Sequence, residues 1–389
     1  MMPEYVILYF MAICLLMIGF NIAFVLAERA RARWEERRVE DLSQRFVSTG
    51  VLADAVSGAD APSDAPAPSG SAHPARDSSL DEAHRDEIVS MCTRLMGMEA
   101  LDRALDKAEE ANPGCIDAIS PCISGALEFL AHGGSERSDL KRAFFAYLVR
   151  RWYRRRPARE SVIYCLQRDL LSSSLYVRQN AFEALAHVAP AAEVAHALDL
   201  IDGGDGAHNP RLVTETLLAV TGDVSMLAHA LDRHLEMYRP QTAAAVINFM
   251  RMRGVGDAPH LLAIMADDAC DRETRLACVR YFMRRPHREA LPVLLRFCSI
   301  EDSSKWEFVA VAAMALSAYP GEASVRTLKA LLTSASWFVR FNAAKSLYDL
   351  GCTLDGDLAD VLEAEDRYAS DMLVYRWQLE GQLKGDVRG

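Results

Sequence analysis

Two distant stretches of the chain, VRQNAFEAL at residues 177–185 and VRFNAAKSL at residues 339–347, share the pattern V-R-x-N-A-x-x-x-L. In both, apolar residues recur every three or four positions, which is the spacing of one face of an α-helix. The same helical pattern at two distant places indicates an internal repeat.

Helices of the same pattern recur through the chain when the arginine of the motif is taken as an anchor. Neighbouring anchors lie between 31 and 36 residues apart, a length that accommodates two helices and a turn. Most residues three positions after an anchor are small and those seven positions after it are mostly large, which predicts a buried stripe between stacked helices. The anchors are Arg142, Arg178, Arg211, Thr242, Arg275, Val309 and Arg340.

A shorter apolar helix precedes each anchor helix, as at residues 289–300 before 305–319, and Pro or Gly separates many of the units. We therefore expect an all-α fold, an α-solenoid of about seven to eight helical hairpins. Over residues 115–350 the pattern resembles the HEAT-repeat family, whose second helix carries V-R-x-x-A-x-x-A-L; Thr242 and Val309 depart from it at the arginine position. The resemblance implies a surface for binding other molecules, since such arrays serve as scaffolds, adaptors, regulators and a few enzymes.

The composition supports packed helices and argues against several classes of function. Of the 389 residues, 51% are hydrophobic, and the net charge of −11 argues against a general affinity for nucleic acid. The nine cysteines include no CxxC pair, and the ten histidines show no metal-ligand spacing such as HExxH. We therefore expect no metal, no cofactor and no catalytic residues.

The N-terminal segment predicts a membrane anchor. Residues 6–27 carry no charge, and a helix of that length spans about 33 Å, close to one bilayer core. Arginines follow between residues 29 and 38, which by the positive-inside rule predicts a single-pass protein of the cell membrane with its N-terminus outside and its repeat domain cytoplasmic. The predicted domains are a transmembrane helix at 1–27, a charged juxtamembrane helix at 28–47, a flexible, disordered linker at 48–80 and a HEAT-like repeat domain at 81–389.

An arginine-rich stretch, KRAFFAYLVRRWYRRRPAR at residues 141–159, contains one lysine, seven arginines and no acidic residue. Arginine suits phosphate and carboxylate groups because its planar fork donates two parallel hydrogen bonds, and Trp152 offers a stacking surface. Arginines recur at the ends of equivalent later helices, which predicts a basic ridge along one edge of the solenoid, with solvated helix ends as the alternative. The predicted ridge comprises Lys141, Arg142, Arg150, Arg151, Trp152, Arg154, Arg155, Arg156, Arg159, Arg251, Arg253, Arg280, Arg284, Arg285 and Arg288.

These observations favour a membrane-tethered, non-enzymatic scaffold or adaptor that binds a protein partner. A further expectation is a regulatory subunit of an assembly that makes or exports envelope polymers. Two alternatives stay open: a module that binds anionic lipid or another polyanion through the arginine ridge, and a HEAT-like DNA glycosylase. The glycosylase alternative lacks an identifiable catalytic carboxylate beside a base-stacking cleft, and nucleic acid is not an expected partner.

Overall fold

The computed structural model describes a helical chain that divides into two compact units, Met1–Ala189 and Pro190–Gly389. The backbone is described at residues 2–58, 78–133, 137–155, 158–204 and 208–386. Side chains are described at residues 16–48, 85–133, 137–155, 158–204 and 208–380. No β-strand occurs within these ranges, which confirms the predicted all-α class for them.

Both units consist of consecutive α-helices. The helices of the first unit are α1 (Met2–Gly58), α2 (Ser78–Met91), α3 (Leu95–Ala111), α4 (Cys115–His132), α5 (Asp139–Trp152), α6 (Glu160–Leu170) and α7 (Leu175–Val188). Those of the second unit are α8 (Ala191–Gly203), α9 (Pro210–Leu218), α10 (Val224–Asp232), α11 (Pro240–Arg253), α12 (Ala258–Ala266), α13 (Arg272–Arg284), α14 (Leu291–Cys298), α15 (Trp306–Ala315), α16 (Glu322–Leu331), α17 (Trp337–Asp349), α18 (Ala359–Glu363) and α19 (Arg367–Asp386). Short 3₁₀ turns lie at Arg288–Ala290, Ser303–Lys305 and Leu316–Ala318.

The helices pair as the predicted hairpins, with each anchor residue in the second helix of its pair. The first unit contains the pairs α4–α5 and α6–α7, and its second helices α5 and α7 pack against each other. In the second unit the pairs run from α8–α9 to α16–α17, and helices α9, α11, α13, α15 and α17 pack in that order. Each unit is therefore a stack of repeats in which one hairpin contacts the next.

The stripe predicted from the repeat is buried between these helices. Ala181, Cys278 and Ala343, each three positions after an anchor, are fully buried. Leu185 and Phe249, each seven positions after an anchor, are also fully buried. Small side chains let neighbouring helices approach, and the large ones fill the layer between them.

The arginine of the repeat motif has a structural role in its own hairpin. Arg178 donates hydrogen bonds from Nη1 to the carbonyl oxygens of Ser172 at 2.7 Å and Ser173 at 3.0 Å. Arg340 makes the same two bonds, to the residues six and five positions before it, at 2.5 and 3.3 Å. These carbonyls belong to the turn that precedes the second helix, so the arginine ties that helix to its own turn.

The predicted transmembrane helix at residues 1–27 is corrected by the structure. Among the described residues, no helix is sufficiently long and apolar for a membrane span. From Leu16, α1 offers twelve uncharged residues before Glu28, and about 20 are needed to cross a bilayer. The side chains of residues 1–15 lie outside the described part, and the expected location in the cell membrane stays a prediction.

Residues 28–47, predicted as a charged juxtamembrane helix, lie within α1 and pack on the first unit. Val39, Leu42 and Phe46 are buried, and α1 contacts α3 and α4. An ion pair of 3.1 Å joins Glu40 to Lys107 on α3. The backbone of α1 continues to Gly58, and residues 59–77 of the predicted linker lie outside the described residues.

Candidate functional site

The residues of the predicted ridge fall into two groups, one in each compact unit. We call the first group the N-terminal arginine cluster; it lies on α5 and in the segment that follows. Its described members are Lys141, Arg142, Arg150, Arg151, Arg154, Arg155 and Arg159, and Arg156 lies outside the described residues.

Arg142 is held by a buried carboxylate. Its Nη2 donates to Oδ1 of Asp169 at 3.0 Å, and the Asp169 side chain is only 1% exposed. Since Asp169 lies on α6, this ion pair connects α5 to α6. Removing one partner of such a buried pair lowers stability. Next to Arg142, Lys141 donates to the carbonyl oxygen of Thr93 at 2.9 Å.

The arginines at the end of α5 are also paired within the first unit. Arg150 forms an ion pair with Glu183. Arg151 lies 3.3 Å from a carboxylate oxygen of Asp102 and also pairs with Asp106. These contacts join α5 to its neighbours α3 and α7.

A single carboxylate, that of Glu128, contacts two further members of the cluster. Glu128 accepts a hydrogen bond of 2.7 Å from Arg155 and lies 3.4 Å from Arg159. Arg154 is exposed. Most of the positive charge of this cluster is thus balanced by the unit that carries it.

Trp152 does not offer the stacking surface that the sequence suggested. Its side chain is 1% exposed, and its indole N–H donates to Oδ1 of Asp102 at 2.7 Å. The helical spacing contains the signal for this burial, because Trp152 continues the stripe formed by Phe145 and Val149.

The second group, here called the C-terminal arginine cluster, lies at the ends of two helices that pack side by side. Helix α11 contributes arginines in its last turn, and α13 contributes them in its last two turns and just beyond its end. Among the described residues, no member of this cluster forms an ion pair with a carboxylate. The members are Arg251, Arg253, Arg280, Arg284, Arg285 and Arg288.

Arg251 lies in the last turn of α11, and two arginines of α13 act on it. Its Nε is buried and has no hydrogen-bond partner within the described part of the chain. Burial lowers the pKa of Arg251 below its ordinary value, and the positive charges of Arg284 and Arg280 lower it further. Arginine nevertheless stays protonated in proteins, so three guanidinium groups share one region without a compensating carboxylate.

Two other arginines of the cluster lie against the backbone of neighbouring segments. Arg253 donates to the carbonyl oxygen of Leu218, at the end of α9. The Arg285 guanidinium lies against Gly254, where a Cβ atom would collide with it. Gly254 also has a φ of +73°, a left-handed conformation that favours glycine at a helix end.

The structure therefore brings together part of the predicted ridge. Its two groups differ in whether carboxylates balance their positive charge. The N-terminal cluster is largely paired, whereas the C-terminal cluster exposes Arg253, Arg284, Arg285 and Arg288 around the half-buried Arg251. A continuous ridge across both units stays a prediction. Acidic groups near the C-terminal cluster include Asp257 and Asp232, which both influence Tyr281, and Glu289, which lies 3.7 Å from His287.

Guanidinium groups donate hydrogen bonds and accept none, so the chemistry of this cluster suits an anionic group. Among the described residues, no group of three or more His, Cys, Asp or Glu side chains is arranged to hold a metal ion.

Comparisons with known proteins bear on the repeats of the second unit. No curated protein matches the chain. Among solved structures, the chain is similar to human deoxyhypusine hydroxylase in complex with glycerol, with 16% identity and a TM-score of 0.27. That match covers 78% of this chain and 98% of the other. Residues 258–348 match the family model described as HEAT repeats, so the segment from α12 to α17 carries HEAT repeats, in agreement with the resemblance.

Proposed function

We propose that the protein is a non-enzymatic helical-repeat scaffold that binds an acidic segment of a protein partner through the C-terminal arginine cluster. The observation that carries this proposal is that Arg251, Arg280 and Arg284, on two packed helices, form no ion pair with a carboxylate among the described residues. The HEAT repeats of the second unit support the scaffold role.

The arrangement is unfavourable for the free protein. Buried polar atoms are normally hydrogen-bonded, and like charges in one region repel each other. The helix macrodipole favours arginines in the last turns of α11 and α13, which accounts for their presence at helix ends. It does not account for the absence of a carboxylate beside Arg251, Arg280 and Arg284 among the described residues, and an anionic partner would supply the opposite charge.

The N-terminal arginine cluster fits this role less well. Arg150, Arg151 and Arg155 already have carboxylate partners, so an incoming anion would have to replace existing ion pairs. The C-terminal arginine cluster presents no such competition among the described residues.

A binding experiment with a designed acidic probe tests the proposal. We expect the full chain to bind a fluorescein-labelled peptide of alternating Glu and Ser residues, measured by fluorescence anisotropy. The double substitution Arg251→Gln and Arg284→Gln should weaken binding by about tenfold or more, because each hydrogen bond to a charged group contributes about 1.5–3 kcal/mol. Binding should also weaken as salt is added.

The matched control removes two positive charges elsewhere in the same unit. Arg211 and Arg326 are 84% and 75% exposed and each pairs with a glutamate one turn away. Changing both to Gln should leave peptide affinity nearly unchanged. Equal losses in the two double variants would mean that net charge, not the cluster, drives binding, and the proposal would be wrong.

A further inference from the structure

We infer that the anion recognised by the C-terminal arginine cluster is a phosphate ester, carried as phosphoserine or phosphothreonine in an acidic segment of the partner. This inference rests on the proposed function and specifies the chemistry of its ligand. It follows from the number of arginines that lie near one another and from the repulsion between their positive charges.

The convergence comes from the geometry of two helices. Arg280 and Arg284 are one turn apart on α13, so their side chains share one face of that helix. Arg251 projects from α11, which packs beside α13, and the charges of both other arginines reach it. Three arginines from two packed helices therefore lie near one another.

The number of charges and donors favours phosphate over carboxylate. A carboxylate brings one negative charge and two acceptor oxygens. A phosphate ester at neutral pH carries a charge of about −1.5 to −2 on three acceptor oxygens around one atom. One such group can accept from Arg251, Arg280 and Arg284 together, whereas several carboxylates in the same space would repel each other.

The outer arginines of the cluster indicate which residues flank the phosphorylated side chain of the partner. Arg253 donates to the carbonyl oxygen of Leu218, the guanidinium of Arg285 lies against Gly254, and Arg288 is exposed. These outer arginines extend the positive surface, which suits acidic residues next to the modified side chain. A phosphorylated segment with acidic neighbours matches both the inner and the outer arginines.

The test compares probes of one sequence on the full chain. Fluorescein-labelled peptides of Asp, Gly and Ala carry phosphoserine, Glu or Ser at one central position. We expect the phosphoserine peptide to bind about tenfold more tightly than the Glu peptide and the Ser peptide to bind least. Arg251→Gln, Arg280→Gln and Arg284→Gln should each reduce the phosphoserine preference, and Arg326→Gln should not.

A second measurement does not depend on peptide design. Inorganic phosphate should raise the melting temperature of the wild-type chain more than that of Arg251→Gln, because a ligand stabilises only the form that binds it. Arg251→Gln should not by itself lower the melting temperature, since it removes a charge that burial and like charges disfavour. Arg251→Lys should restore little of the preference, because an ammonium group lacks the planar fork. If Arg251→Gln fails to fold, Arg280→Gln provides the same comparison.

The outcomes separate this inference from the function on which it rests. Equal binding of the phosphoserine and Glu peptides would overturn the phosphate assignment and leave the acidic-partner function standing. Failure of every peptide would overturn both. Binding to phosphatidylcholine vesicles that contain phosphatidylinositol 4-phosphate, without binding to the phosphoserine peptide, would identify a lipid headgroup as the source of the phosphate and overturn the inference.

Discussion

His260, near the start of α12, lies between two carboxylates of the preceding hairpin. Its Nδ1 is 3.1 Å from Asp232, and its Nε2 is 3.3 Å from Glu236. Burial alone would lower the pKa of His260, but the contacts with Asp232 and Glu236 outweigh it and raise the pKa above the ordinary value. The protonated imidazole therefore holds α12 to the end of α10 and the turn that follows it.

The sign of this shift predicts a pH dependence of stability. A raised pKa in the folded state stabilises the protein below the unfolded value, and that stabilisation is lost as pH rises through the folded value. We expect the unfolding free energy from denaturant titration to fall as the pH rises from about 6.5, the ordinary pKa of histidine, through the raised pKa of the folded protein, and to fall less in His260→Gln. The exposed His229 on α10 provides the control, and an unchanged slope in His260→Gln would contradict the assignment.

At the same scale, the sequence predicts where arginines lie but not what faces them. The carboxylates that pair with Arg151 and Arg155 are 49 and 27 residues away in sequence. Local spacing on one helix reports only pairs three or four residues apart. The difference between the two arginine clusters therefore emerges only when the helices are stacked.

At the scale of the element, the repeat rests on small residues at one position of each second helix. Ala343 is fully buried on α17, which packs against α15. A larger side chain at this position cannot be accommodated without moving a neighbouring helix, because the interior is close-packed. The same reasoning applies to Ala181 on α7, which packs against α5.

We predict that Ala343→Leu lowers the unfolding free energy by roughly 1–3 kcal/mol through overpacking. The control is Ala330→Leu on α16, since Ala330 is exposed and the change should stay within about 0.5 kcal/mol. Chemical denaturation followed by circular dichroism measures both. A neutral effect of Ala343→Leu would mean that the repeat register is wrong.

The period of the sequence predicted the helical elements well because each repeat buries the same stripe against its neighbours. The wrong prediction is the transmembrane helix at residues 1–27, whose evidence was a run of uncharged residues. Uncharged residues before Glu28 indicated a bilayer span, but within the described residues α1 is a helix that continues into buried contacts of the first unit at Val39 and Leu42. A hydropathy pattern reports composition and does not report which surfaces later residues of the same helix will contact.

At the scale of the whole molecule, each of the two repeat-containing units carries an arginine cluster, and the two clusters differ in whether carboxylates pair with them. In the first unit, arginines connect neighbouring helices through ion pairs. In the second unit, the C-terminal arginine cluster lacks a carboxylate partner among the described residues. We therefore propose a structural role for the N-terminal arginine cluster and a binding role for the C-terminal arginine cluster.

Hydrogen–deuterium exchange of the full chain with and without the alternating Glu and Ser peptide tests this assignment most directly. We predict slower exchange of the backbone amides at residues 254–257 and 285–290, which follow α11 and α13, and unchanged exchange at residues 141–155 on and after α5. Protection at residues 141–155 without protection after α11 and α13 would place the site on the N-terminal arginine cluster and contradict the account.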